Sequence, residues 1–170
     1  MLIITTFRAT LQGAVVIGAM ALSGCASFPS HIEPGMSREQ VLARFGTPSV
    51  DVTAPDHEVL IYSTAPFGEL AYAAVLDENK TVTRLVQVLS LENFARIEPH
   101  VWTKQIILNN FGIPAQKRNI RGNETWDYRY RENDVYYSLY TVTFDDSGVV
   151  IKTENGPDPM HDGGRDGGHH

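Results

Sequence analysis

Ser37-Arg38-Glu39-Gln40-Val41-Leu42-Ala43-Arg44-Phe45-Gly46-Thr47-Pro48 recurs 66 residues later as Thr103-Lys104-Gln105-Ile106-Ile107-Leu108-Asn109-Asn110-Phe111-Gly112-Ile113-Pro114. The shared pattern is S/T, R/K, E/Q, x, V/I, Leu, x, x, Phe, Gly, x, Pro, and each copy reads as one short helix. Ser37 and Thr103 are N-caps, and Ser37 with Gln40 makes a capping box. Val41, Leu42 and Phe45 share one helical face, as do Ile107, Leu108 and Phe111. Gly46 and Gly112 close the helices, and Pro48 and Pro114 forbid their continuation. A helix of about three turns is marginal alone and must dock on something.

Outward from the helices the period changes to two. Trp126, Tyr128 and Tyr130 alternate with Asp127, Arg129 and Arg131, Glu132-Asn133-Asp134 reads as a turn, and a strand follows from Tyr136 to Phe144. Asp145-Asp146-Ser147-Gly148 then turns the chain into Val149-Val150-Ile151. The first copy has the same order: Val59 to Ser63, Leu70 to Leu76, a turn at Asp77 to Lys80, and Val82 to Leu89. Glu58 and Tyr62 fall on Glu124 and Tyr128 at the offset of 66, whereas Leu76-Asp77 falls on Phe144-Asp145 at 68. The expectation is an α+β chain of two tandem (α)αβββ units, at residues 35–90 and 91–154, with short helices on three-stranded antiparallel sheets. Leu91 to Ile97 supplies the extra first helix of the second unit. The Gly-rich segment 155–170 is expected to be a disordered tail.

The N-terminus is read as a targeting device. Gly13 to Ala21 carries no charge and follows a single Arg8. That run is too short for a spanning helix, which needs about 20 apolar residues. It ends in Leu22-Ser23-Gly24-Cys25, which resembles the lipobox of bacterial lipoproteins. The resemblance implies cleavage of residues 1–24, acylation of Cys25, the chain's one cysteine, and a lipidated tether at 25–34. Ala26, in place of Asp, implies the outer membrane, with the domain facing the periplasm. The lipid bilayer is then the first partner, reached through Cys25.

Composition narrows the chemistry. The 170 residues hold 14 Lys+Arg against 20 Asp+Glu, a formal charge of -6, and 42% are hydrophobic. The chain is therefore a globular one, lacks the basic footprint of a nucleic-acid binder and has no second cysteine for a disulfide or a zinc ribbon. No phosphate-binding loop, nucleophile elbow or zincin helix is present. No enzyme activity, cofactor or small-molecule substrate is expected. His161, His169 and His170 are the weak metal-ligand candidates. The second copy holds five of the seven tyrosines and both tryptophans, so Tyr128, Arg129, Tyr130, Arg131 and Tyr137 are the candidate protein-binding strip.

The stretch Gly35-Met36-Ser37 through Phe45-Gly46-Thr47-Pro48 resembles the opening motif of the BamE (SmpA/OmlA) family of outer-membrane lipoproteins. A tandem pair of such units resembles the architecture of β-lactamase inhibitory protein. The second copy has Val101-Trp102 where the first has Gly35-Met36. The family resemblance implies a non-enzymatic lipoprotein that binds another envelope protein in outer-membrane assembly or maintenance. Two alternatives stand beside it: a module that inhibits a periplasmic enzyme, and an envelope metal or stress sensor using the histidines of the tail.

Overall fold

The computed structural model describes residues 29–161. The expected signal peptide at 1–24, with Leu22, Ser23 and Gly24, the expected lipidation site Cys25, and His169 and His170 all lie outside those residues. Twelve elements follow one another. A single 3-10 turn at Pro29–His31 precedes α1 (Arg38–Phe45), β1 (Val50–Thr53), β2 (Glu58–Ser63), β3 (Ala71–Leu76) and β4 (Val82–Gln87). Then come α2 (Leu91–Phe94), α3 (Lys104–Phe111), β5 (Gln116–Ile120), β6 (Asn123–Glu132), β7 (Tyr136–Phe144) and β8 (Val150–Pro157). The strands form two antiparallel sheets, ordered β1-β2-β3-β4 and β5-β6-β7-β8.

The two helix starts and stops follow the local chemistry of the repeated stretch. Ser37 Oγ accepts from the Gln40 amide at 3.3 Å and the Gln40 side chain accepts from the Ser37 amide at 2.8 Å, which completes the capping box. Thr103 makes only the first of these bonds, to Ile106 at 3.4 Å, because isoleucine has no group to return. Gly46 and Gly112 end the helices at φ/ψ of 78/-161 and 76/-162, and their amides bond back to Leu42 and Leu108. That backbone region is open to glycine almost alone. The freed carbonyls are capped in turn, since Tyr62 donates to Gly46 O and Tyr128 to Gly112 O, each at 3.0 Å.

The same equivalence extends to the far ends of the strands. Asp77 Oδ1 accepts from the amides of Asn79 and Thr81, and Asp145 Oδ1 from those of Ser147 and Val149. Register shifts sit at Val75/Leu76 and at Thr143/Phe144. Arg38 pairs with Glu58 as Lys104 pairs with Glu124. The duplication read from twelve residues thus extends to caps, bulges and ion pairs.

Four expectations need correction. Each sheet has four strands, because the residues after Pro48 and Pro114 form β1 and β5 before the expected first strand. The extra helix at Leu91 to Ile97 is one turn. Ser90 caps it, Phe94 and Ile97 are buried, and Leu91 is exposed. The first unit begins before residue 35, since Ile32, assigned to the expected tether, is buried with Val41 and Leu60 under α1. Residues 155–161, expected to be disordered, are structured, since β8 runs to Pro157 and Asp158 is only 1% exposed.

The layers are α1, the first sheet, α2 with α3, and the second sheet. Alternation sends Leu60, Tyr62, Ala74, Leu76 and Val82 toward α1. The opposite face carries Ile61, Ala71 and Ala73 into a second core with Phe94, Ile107 and Phe111 from the helices and Trp126, Tyr128, Tyr140 and Phe144 from the second sheet. Phe94 is the centre of that core. It stacks on Tyr140 at 4.2 Å and 6°, and lies 4.7 Å from Phe111 and 5.3 Å from Tyr130. One apolar cluster therefore joins the halves, and the first sheet buries its second face on the helices of the other half.

Candidate functional site

The second sheet has one face left over. Its inner face meets α2 and α3. The opposite face corresponds, position by position, to the face of the first sheet that packs on those helices. Ile61 lies opposite Ala73 in one sheet, and Asp127 opposite Thr141 in the other; Val59 lies opposite Val75, and Thr125 opposite Thr143. Val50 becomes Gln116 and Val86 becomes Glu154 by the same offsets. At these positions an apolar contact of the first sheet has thus become a polar group in the second, whereas Ala71 becomes Leu139 and stays apolar; most of the face has the polar character of the terminal unit of a stacked array, which must face water.

Asp127 is buried on that face. Arg118 Nε and Nη2 donate to it at 2.5 and 2.7 Å and Thr141 Oγ1 donates at 2.9 Å, so its charge is fully compensated. This outer face is largely a polar cap, with Leu139 and the exposed Ile120 as its apolar side chains.

The strip expected from sequence is split by the pleat. Tyr128 and Tyr130 point inward, are buried, and contact Phe94, so they are core and cannot meet a partner. Tyr130 donates to Asn155 Oδ1 at 2.9 Å. Burial pushes both phenols above their ordinary ionisation range. Arg129 points outward yet is occupied: its Nε lies 3.0 Å from Asp158 Oδ2, and its Nη1 donates to Pro66 O at 2.7 Å. Arg131 lies over the Tyr137 ring at 4.6 Å, and its Nε has no hydrogen-bond partner among the described residues. Tyr137 is partly exposed and stacks on His161 at 3.8 Å and 7°.

These contacts bring three chain segments to one end of the molecule: the β2–β3 loop through Pro66 and Glu69, the β6–β7 hairpin, and the turn Asp158–His161. His161 Nδ1 is 3.3 Å from Asp158, and its Nε2 is 4.0 Å from Glu69. Around this junction Phe67 is 77% exposed, Tyr136 66%, Val135 61% and Met160 58%. Such residues normally seek cover, and their concentration at one end sets this end apart from the capped face. A cleft of about 430 Å³ opens beside them, lined by Glu132, Tyr136, Tyr137, Ser138, Asn155 and Pro157, among others.

The junction also has a defined position relative to residues 35–38, where the chain enters the first unit. Gly35 and Met36 bond to Val82 at the start of β4, and Arg38 N donates to Lys80 O. The described chain therefore enters at the β3–β4 end of the first sheet, while Phe67 lies in the loop at the opposite end of β2 and β3. Phe67 and Met160 carried no sequence signal, since an isolated apolar residue in a loop resembles any other until the fold gathers it with neighbours.

Metal candidates fare differently. Asp158 is engaged with Arg129, and among the described residues no group of three or more His, Cys, Asp or Glu is placed to hold a metal ion. Nor is any helix among the described residues long and apolar enough to cross a membrane.

Comparison with known proteins assigns no family. No family model matches the chain, and no curated protein matches it. Among solved structures, similarity is found to a DUF4309 family protein, YjgB, from Bacillus subtilis, at 13% identity and a TM-score of 0.29, covering 72% of this chain and 78% of that one. It is found also to an extracellular protein containing an SCP domain from Bacillus anthracis, at 12% identity and a TM-score of 0.29, covering 91% of this chain and 50% of that one. Scores of that size carry neither a fold nor a function across.

Proposed function

We propose that this protein is a BamE-like lipoprotein, held at the outer membrane by acylated Cys25, which acts without catalysis by binding another envelope protein. The observation that carries the binding reading is the junction of both halves, where Arg129, Asp158 and Pro66 fix three segments and leave Phe67, Val135, Tyr136 and Met160 exposed together. Its place at the far end of the first sheet from the tether suits a surface that faces away from the lipid. Interfaces favour aromatic and methionine side chains at their centre, which is the composition found here.

The anchor and the binding surface are tested separately. Metabolic labelling with radioactive palmitate should label the wild-type chain and leave Cys25→Ser unlabelled and released from the membrane fraction; equal fractionation of the two would overturn the anchor. A photo-reactive side chain placed at Phe67 or Tyr136 in living cells should give a discrete adduct with one protein. Its absence at both positions would overturn the binding role.

A further inference from the structure

Building on that binding role, we propose that the partner supplies an extended segment that adds to the second sheet as a fifth strand along β8, with an arginine or lysine reaching into the adjacent cleft against Glu132. β8 is the outermost strand of its sheet. The Asp158 amide donates to Tyr137 O, and the register of β7 with β8 then fixes which groups face inward. Gly156 and Glu154 exchange their bonds with β7, whereas Thr153 and Asn155 direct N–H and C=O away from it. Earlier on the strand the outward groups are satisfied: Val150 N donates to Trp102 O at 2.8 Å and Val150 O accepts from His100 at 2.7 Å. No such partner meets Thr153 or Asn155 among the described residues.

The internal repeat sharpens the contrast. The first-half position equivalent to Asn155 is Gln87, on the outer strand β4, and there the edge is closed. The Asn93 side chain of α2 donates to Gln87 O at 3.5 Å and to Val88 O at 3.2 Å. The described part of the second half has no counterpart of α2 after β8, so its edge keeps the hydrogen-bonding capacity that the first half has used. An open edge of this kind is a template for an added strand. The charged pair on β8, Lys152 with Glu154 at 2.8 Å, faces the polar cap and leaves the outward backbone groups of Thr153 and Asn155 open; the next outward residue, Pro157, has no N–H to offer, so the open stretch ends at Asn155.

The cleft selects the incoming side chain. It begins at Asn155 and Pro157 on the edge and ends at Glu132 on β6. An added strand would lie about 14 Å from β6, three spacings of ~4.8 Å, which an extended arginine and a glutamate together cover. Glu132 accepts from Ser138 Oγ at 3.3 Å, and among the described residues no cation pairs with it. Tyr136, which lies opposite Glu132 in the sheet and is 66% exposed, forms the wall beside it, a surface suited to a guanidinium or ammonium group.

The test uses the full-length chain in living cells, with p-benzoylphenylalanine in place of Tyr136 or Phe67, alone and combined with Thr153→Pro or Glu132→Gln. Thr153→Pro deletes one outward N–H and no bond to β7, and proline is tolerated on an edge strand. Glu132→Gln removes the charge and alters no backbone, so it stands as a test even if the proline variant folds poorly. Each should lower adduct yield about tenfold, the effect of losing one hydrogen bond or one charge-assisted contact. Adducts that persist at full yield in both variants would overturn strand addition while leaving the binding role intact. Adducts at neither position would overturn the binding role and this proposal with it. A crosslink from Tyr136 into residues 162–170 of the same chain would also overturn it, by showing that the cleft is filled from within.

Discussion

Gly46 and Gly112 form an internal control for how the halves are joined. Both end an eight-residue helix, both hold nearly the same φ and ψ, and both receive a tyrosine hydroxyl on their carbonyl. A Cβ at Gly46 would meet nothing within 4 Å, whereas at Gly112 it would lie 3.0 Å from Ile61 Cγ2, a fully buried side chain of the other half. Gly46→Ala should therefore cost only backbone strain, about 1–3 kcal/mol. Gly112→Ala should cost that strain and in addition the overpacking of a filled core, a further 1–3 kcal/mol or so. Urea unfolding of the two variants, followed by tryptophan fluorescence, reads the difference directly, because the common strain cancels. Equal losses within about 0.5 kcal/mol would refute the packing of Ile61 against α3, and with it the shared core on which the layered arrangement depends.

Further consequences can be measured on the same protein. Phe94→Ala should lower stability by about 3–5 kcal/mol and leave a single unfolding transition, since Phe94 packs among residues from both halves; two resolved transitions by calorimetry would mean that the halves are independent. Asp158 is 1% exposed and its Arg129 partner 11%. Arg129→Met should therefore cost about 3 kcal/mol by stranding a buried carboxylate, with faster amide exchange in the 65–69 loop, and a loss below 1 kcal/mol would count against the junction as a staple. Burial would raise the Glu58 carboxyl, but Arg38 and Lys80 outweigh it and hold the group below its ordinary 4.5; the Lys104 ammonium and Trp126 indole hold Glu124 below the same value. A folded value below the unfolded one means that this stability is fully present above about pH 5 and is lost as pH falls through the folded values. Glu58→Gln should flatten the decline of urea midpoints below about pH 5, and an unchanged slope would remove Glu58 as its source.

The duplication was legible because it is local. A cap, a helical stripe, a glycine and a proline are specified within twelve residues, and each copy gave the same answer. The strands β1 and β5 were not legible. Val50–Thr53 spans four residues, and Gln116–Ile120 is polar at four of its five positions, so neither shows a buried face. The order of residues 155–161 was missed for a related reason. Gly156 and Pro157 mark flexible chain in isolation, yet here β7 supplies a register for them and Arg129 a buried counter-charge for Asp158. Tertiary context overrode composition. The aromatic bias of the second copy pointed to a binding strip, but which residues stayed accessible depended on the pleat, and the inward positions took Tyr128 and Tyr130.

The register of substitutions between the sheets explains why binding capacity is sought at the end of the stack. A repeated unit that buries one sheet face on the next unit's helices must either continue or alter that face at its last copy. Here Val59, Ile61 and Ala73 give way to Thr125, Asp127 and Thr141, and the buried Asp127 is neutralised by Arg118 so that the change does not leave an unpaired charge. No comparable replacement protects the β6–β7 hairpin, the β2–β3 loop or the edge of β8. Exposed Phe67, Tyr136 and Met160 would lower solubility without return if nothing covered them. The chain that placed polar groups at most positions of one sheet face keeps Phe67, Val135, Tyr136 and Met160 exposed at this end, and that contrast within one molecule is the physical reason to look for a partner there.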